Sequence, residues 1–246
     1  MESPFDAPRL EGARDAEGWI EERAQYRVLA RPKSKFKTVV DAKALFGDGG
    51  ARLDLVTRVR EPVTGEVALD LRATMRLPHA EIDDRLTCIW ESGLRASRLV
   101  RRAEGRDQTI DFVASPFALP RTAYPEVLLP FLMRGQPRDT QRRACYAWTS
   151  DLFCARVYYE TRGVVRVSVP AGTIEAHEVW MYPDLNDWVA MGNVLTTLAK
   201  PLLPRYTSWF EVAPPHRVVR FEGPFGPPGA PEIIVELLGS AGALAP

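Results

Sequence analysis

GEVALDLRATMRLPHAEIDDRLTCIW, residues 65–90, alternates apolar and polar side chains on both sides of a Pro78-His79 step. Successive strand residues point to opposite faces, so period-two alternation gives each segment one apolar face and one wet face. The stretch therefore reads as two antiparallel strands, 65–77 and 80–90, joined by a hairpin-sized connection. The same pattern extends outward. ARLDLVTRV (51–59), LRASRLVRR (94–102) and DQTIDFV (107–113) flank the pair across EPVTG, ESG and AEGR.

A second series follows. It comprises RRACYAW (142–148), DLFCARVYYE (151–160), VVRVSVP (164–170), IEAHEVWMY (174–182), RYTSWFEV (205–212), RVVRFEG (217–223) and PEIIVELLG (231–239). So many strands with short turns predict a mainly β fold, a curved antiparallel sheet or half-barrel. A single domain over residues 1–246 is expected, with residues 1–20 irregular.

Two segments break the alternation. AYPEVLLPFLMRG (123–135) reads as a short helix, with Pro125 in its first turn, Gly135 after its end, and Pro130 as an internal breaker. In LNDWVAMGNVLTTLAKPLLPRY (185–206), Trp188, Met191, Leu195, Leu198 and Leu202 recur at steps of three and four. Asp187 suits an N-cap, Pro201 and Pro204 suit a stop, and the span is too short for a transmembrane helix, which needs about 20 apolar residues. The fold class is thus a curved sheet with two short covering helices, the second forming a lid over about 187–203.

Lys plus Arg and Asp plus Glu balance at 32 each, so no global field selects nucleic acid or an anionic membrane. The Arg-rich run at 94–106 splits its charges between two strand faces and lacks interleaved aromatics, which argues against a nucleic-acid strip. Residues 1–19 carry acidic residues and prolines where an export signal needs a basic start and an apolar run, which places the protein in the cytoplasm. Cys88, Cys145 and Cys154 form no CxxC pair and read as buried thiols in a reducing compartment.

His79, Glu81 and Asp83 fall two apart, as a metal or proton-exchange set on a strand would, yet the same spacing describes a solvated strand face, which is the preferred reading. Glu175 and His177 form a similar pair, and His216 follows Pro214 and Pro215 in a loop. No GxSxG, HExxH, GxGxxG or Walker spacing occurs, so no catalytic residue, metal or cofactor is assigned.

Residues 123–239 carry a resemblance, through the VPAGT turn (169–173), the returning IEAHEV strand, the SWF of 208–210 and the closing IIVEL (233–237). In these motifs the chain resembles a bacterial family of β-rich proteins that is similar in fold to the periplasmic lipoprotein carriers. In those carriers a curved antiparallel sheet holds acyl chains under a helical lid. The resemblance implies a fold and a pocket but no catalytic residue.

Together, the lid stripe, the aromatic strands and the resemblance predict a non-catalytic binder of a lipid-like or other apolar small molecule in a cavity between sheet and lid. Trp180, Trp188, Met191, Leu195, Leu198, Leu202 and Trp209 are its candidate ligand contacts. The alternative is an enzyme of cyclase or isomerase type acting on a hydrophobic substrate in the same cavity. A weaker third reading is an interaction module that exposes the apolar helix to a partner protein.

Overall fold

The computed structural model of the protein describes residues 5–31, 45–61, 65–91, 93–111, 123–136, 138–150, 153–188, 205–224 and 231–239. The strands are β1 (Ile20–Ala30), β2 (Ala51–Arg60), β3 (Val67–Arg76), β4 (Glu81–Trp90), β5 (Leu94–Ala103), β6 (Arg106–Asp111), β7 (Ala123–Pro125), β8 (Arg143–Ser150), β9 (Phe153–Val169), β10 (Gly172–Trp188), β11 (Tyr206–Glu211), β12 (Val218–Pro224) and β13 (Glu232–Gly239). They form one sheet in the order β6-β5-β4-β3-β2-β1-β13-β12-β11-β10-β9-β8-β7. Every pairing is antiparallel except β7 with β8, which is parallel. The chain thus closes its two halves through β1 against β13, a pairing of its first strand with its last.

The 65–90 hairpin is present in register, with Leu71 opposite Leu86, Leu69 opposite Cys88 and Val67 opposite Trp90. All six of these side chains are buried. The polar sides carry ion pairs across the strands: Arg72 to Asp83 at 2.8 and 3.1 Å, Arg85 to Asp70 at 3.1 Å, and Arg101 to Asp84 at 2.7 Å. Within the Arg-rich run, Arg95, Arg101 and Arg102 each face a carboxylate partner.

Strand β1 is absent from the sequence-based expectation. Its alternation starts only at Ala24, Tyr26 and Val28, after Glu21-Glu22-Arg23. Glu22 shares the parity of those buried residues, and its carboxylate is met by Arg134, 112 positions away. The second half also differs. The segments 151–160 and 164–170 join as one 17-residue strand, because Thr161-Arg162-Gly163 forms a β-bulge opposite Glu178 and Val179 instead of a turn. Strand β10 is equally long and turns from β9 through Gly172, whose φ of +126° suits glycine alone. The hairpin tip reaches β13, where the Ala171 N–H donates to the Leu237 carbonyl at 3.1 Å, and Val169 and Ile174 pack with Ala24, Tyr26 and Leu237.

The first expected helix is a short helical segment, Glu126–Gly135, whose α-helical part is α1 (Leu129–Leu132), flanked by 3-10 turns. Pro130 lies at the start of α1, where a missing N–H costs nothing, so it does not break the segment. It does not act as an outer cover. Leu128, Leu129, Phe131, Leu132 and Met133 are all buried, and they pack with β2–β6 residues such as Val59, Leu69, Leu86 and Leu99 and with β8–β11 residues such as Cys145, Val157, Met181 and Phe210. A helical stretch apolar on nearly every side belongs inside. Tyr124 joins the halves at one point: its ring lies 5.0 Å from Phe5 in an edge contact and 5.8 Å from Trp90 in a stacked one.

The second expected helix is not found where it was placed to begin. Asp187 and Trp188 are the last residues of β10, with Trp188 paired to Ala155. The expected N-cap is therefore a strand end. Met191, Leu195, Leu198 and Leu202 lie outside the described residues.

Candidate functional site

A cavity of about 610 Å³ opens where three distant pieces of chain converge. The N-terminal run Asp6–Glu11 forms one wall, the end of the helical segment from Phe131 to Gln136 a second, and Pro214, Pro215 and His216 a third. Apolar lining comes from Leu10, Phe131, Leu132 and the two prolines, and polar lining from Arg9, Arg134, Gln136 and His216 among others.

Behind this cavity sits a dense set of charges. Arg134, only 8 % exposed, donates through Nη1 to Glu22 at 2.7 Å and lies over the Phe131 ring. Glu211, also buried, accepts two hydrogen bonds of 2.9 Å from Arg217. The two ion pairs flank Tyr26, whose hydroxyl is buried without a hydrogen-bond partner among the described residues, and burial pushes its pKa up to about 12. Arg138 donates to the Arg134 carbonyl at 3.0 Å and stacks over Phe210 at 4.6 Å. Burial draws the Arg138 pKa down to about 10, which leaves it cationic at neutral pH.

His216 adopts a left-handed φ of +58° and sets Nδ1 at 3.0 Å from the Glu211 carbonyl oxygen, to which Nδ1–H donates. His177 stands opposite Phe210 in register. Burial lowers its pKa, and the positive fields of Arg138 and His216 add to the effect. A histidine whose folded pKa is depressed binds its proton more readily in the unfolded chain. Its contribution to stability is therefore intact above about 6.5 and declines as pH falls from there toward the folded value. The melting temperature of the native protein is expected to fall over that window more steeply than that of His177→Gln. Identical slopes would show that His177 is not a titrating contributor.

The residues singled out from the sequence are distributed elsewhere. Trp180 lies on β10 with Arg162 and Arg205 over its ring at 4.2 and 3.6 Å, and its indole N–H donates to Glu178. Trp209, on β11, has Arg220 at 5.7 Å and packs partly against Val167, Ala176 and Val219. Neither tryptophan lines the cavity. Trp188 ends β10, and Met191, Leu195, Leu198 and Leu202 are outside the described residues.

Asp83 is held by Arg72 and by the Thr74 hydroxyl at 2.8 Å, Glu81 by Arg76 at 3.4 Å, and His79 is in the β3–β4 turn. The arginine hydrogen bond keeps the Asp83 carboxyl below its ordinary value. Glu175 pairs with Arg166 at 3.7 Å, and His177 is on β10 opposite Phe210, away from the 79–83 set on β4 and its turn. Cys145 pairs in register with Val157 and Cys154 with Trp148, so the two buried thiols do not stand opposite each other. Among the described residues no group of three or more metal-binding side chains occurs, and no helix is long and apolar enough to cross a membrane. Sequence reasoning missed Arg134 and Arg138, whose only signal is their position just after an apolar helical run.

Neither a family model nor a curated protein matches the chain. Among solved structures it is similar to a β-barrel-like protein of a domain of unknown function from Brucella abortus, at 11% identity and a TM-score of 0.43, covering 90% of this chain and 97% of that one. It is also similar to a protein with a YmcC-like fold, designated as exported, from Bacteroides fragilis (11% identity, TM-score 0.35, 97% and 99% covered). A third, designated a lipoprotein, is from Parabacteroides distasonis (10% identity, TM-score 0.36, 98% and 100% covered). The cytoplasmic location expected from residues 1–19 is corrected by these designations of exported protein and lipoprotein, and it is withdrawn. Composition near the first residue and a count of three cysteines do not by themselves define a compartment. The chain is a mainly antiparallel β protein similar to bacterial β-barrel-like proteins.

Proposed function

We propose that the chain is a non-catalytic binder of a lipid-like small molecule, and that the molecule is held between residues 6–11, 131–136 and 214–216. The observation that supports this is the cavity of about 610 Å³, with Leu10, Phe131, Leu132, Pro214 and Pro215 in its apolar lining and Arg134, Gln136 and His216 in its polar lining. Its size falls inside the range of about 300–1,000 Å³ usual for small-molecule sites. The reading moves the ligand away from Trp180 and Trp209, whose rings are occupied by arginines.

Nile red binding tests it. Leu10 is a partly buried residue of the N-terminal wall, so Leu10→Arg puts a charge against the apolar part of the site without disturbing a strand. The variant is expected to lose at least about tenfold in affinity, equivalent to about 1.4 kcal/mol, while Trp180→Ala binds as the native protein does. Unchanged binding by Leu10→Arg, or loss of binding by Trp180→Ala, would return the site to the sheet face that carries Trp180.

A further inference from the structure

Four arginines gather around the end of the helical segment, and three of them have a carboxylate of their own. Arg134 has Glu22 at 2.7 Å, Arg217 has Glu211 at 2.9 Å, and Arg143 has Asp139 at 2.6 and 2.7 Å. Arg138 has none among the described residues. It is half-buried, and its contacts are the Arg134 carbonyl and the Phe210 ring. A guanidinium removed from water without a counter-charge is costly, and an anion of correct geometry offsets that cost.

The surroundings of Arg138 show where such an anion fits. Arg138 lines a small hollow of about 10 Å³ together with Gln136, Gln141, Arg143, Tyr159 and Glu160. The Tyr159 hydroxyl is buried and has no hydrogen-bond partner among the described residues. Glu160 is engaged by Arg162 at 2.9 Å. Gln136 walls both this hollow and the large cavity, so the two spaces adjoin at Gln136. The hollow holds about one water as it stands, and a larger group enters it by displacing Gln136.

We infer that the ligand of the large cavity is an acid whose carboxylate passes Gln136, pairs with the Arg138 guanidinium and accepts a hydrogen bond from the Tyr159 hydroxyl. This rests on the binding reading above and adds the chemistry of the head group. Arg138 supplies the charge, Tyr159 a directional donor, and the apolar walls the site for an alkyl chain. The ion-paired Arg134 and Arg217 serve as scaffold, because their donors already face carboxylates.

Dodecanoate and dodecanol share a chain and differ in the head group, so their competition with Nile red at neutral pH separates the two claims. The native protein is expected to bind dodecanoate at least tenfold more tightly than dodecanol. Arg138→Gln should abolish that preference and leave dodecanol affinity unchanged, and Tyr159→Phe should reduce it several-fold. Gln136→Ala, which trims the residue common to both spaces, should strengthen dodecanoate binding alone. Equal affinities in the native protein, or a preference that survives both Arg138→Gln and Tyr159→Phe, would overturn the acid assignment with the binding reading intact. Failure of Nile red and of both alkyl compounds to bind would overturn the two together.

Discussion

Glu22→Ala is expected to destabilise the protein by about 3–5 kcal/mol, because it leaves the Arg134 guanidinium buried with no counter-charge. Arg134 is 8 % exposed, and its 2.7 Å contact with Glu22 is its one carboxylate pairing among the described residues. Its Nε is also buried without a hydrogen-bond partner among the described residues. For a chain of this size the loss corresponds to a fall in melting temperature on the order of 10 °C. The double variant Glu22→Leu/Arg134→Met removes both charges and should recover most of the loss, since an apolar pair of similar volume replaces a buried ion pair at little cost. A Glu22→Ala penalty under about 1 kcal/mol would mean that water reaches Arg134 freely, as at an ordinary surface pair.

Tyr124→Ala is expected to cost a similar amount, about 3–5 kcal/mol, by the different mechanism of an unfilled cavity. Tyr124 is fully buried and touches Phe5 from the N-terminal run and Trp90 from β4, while its own strand pairs with β8. It therefore joins three parts of the chain that are far apart in sequence. If the chain is one domain, the variant should still melt in a single transition, shifted together for fluorescence and circular dichroism. Two separated transitions would show that β1–β6 and β7–β13 are independently stable. Tyr182→Ala serves as a control of similar size. Tyr182 is half-buried, beside Tyr158 at 5.9 Å and with Arg142 at 5.0 Å, so it should lose well under the Tyr124 value.

Most strands were legible because a half-buried sheet imposes period two on its residues. Val67, Leu69 and Leu71 announce β3, and the ladder partners Leu86, Cys88 and Trp90 announce β4. Strand β1 was not legible, since an inward glutamate at position 22 reads as solvent-facing until Arg134 is placed beside it. The bulge at Thr161-Arg162-Gly163 likewise resembles a turn in sequence and proves to be a bend within one long strand. At 187–188 a helix start was inferred from capping chemistry, yet those residues continue the ladder of β10, where backbone pairing outweighs local propensity.

What the amino-acid sequence determined by itself is local: alternation, and so strands; an apolar run of 127–133 between Pro125 and Gly135, and so a short helical segment. Only the tertiary structure decided that the helical segment lies between the two halves of the sheet, where its apolar sides each find a partner. It alone decided the candidate site, which draws on residues 6–11, 131–138 and 214–216. The physical reason is that periodicity reports which side of an element avoids water, and that preference is set residue by residue. Which buried charge meets which carboxylate, and which one is left for a ligand, depends on contacts between elements more than a hundred residues apart, as in Glu22 with Arg134.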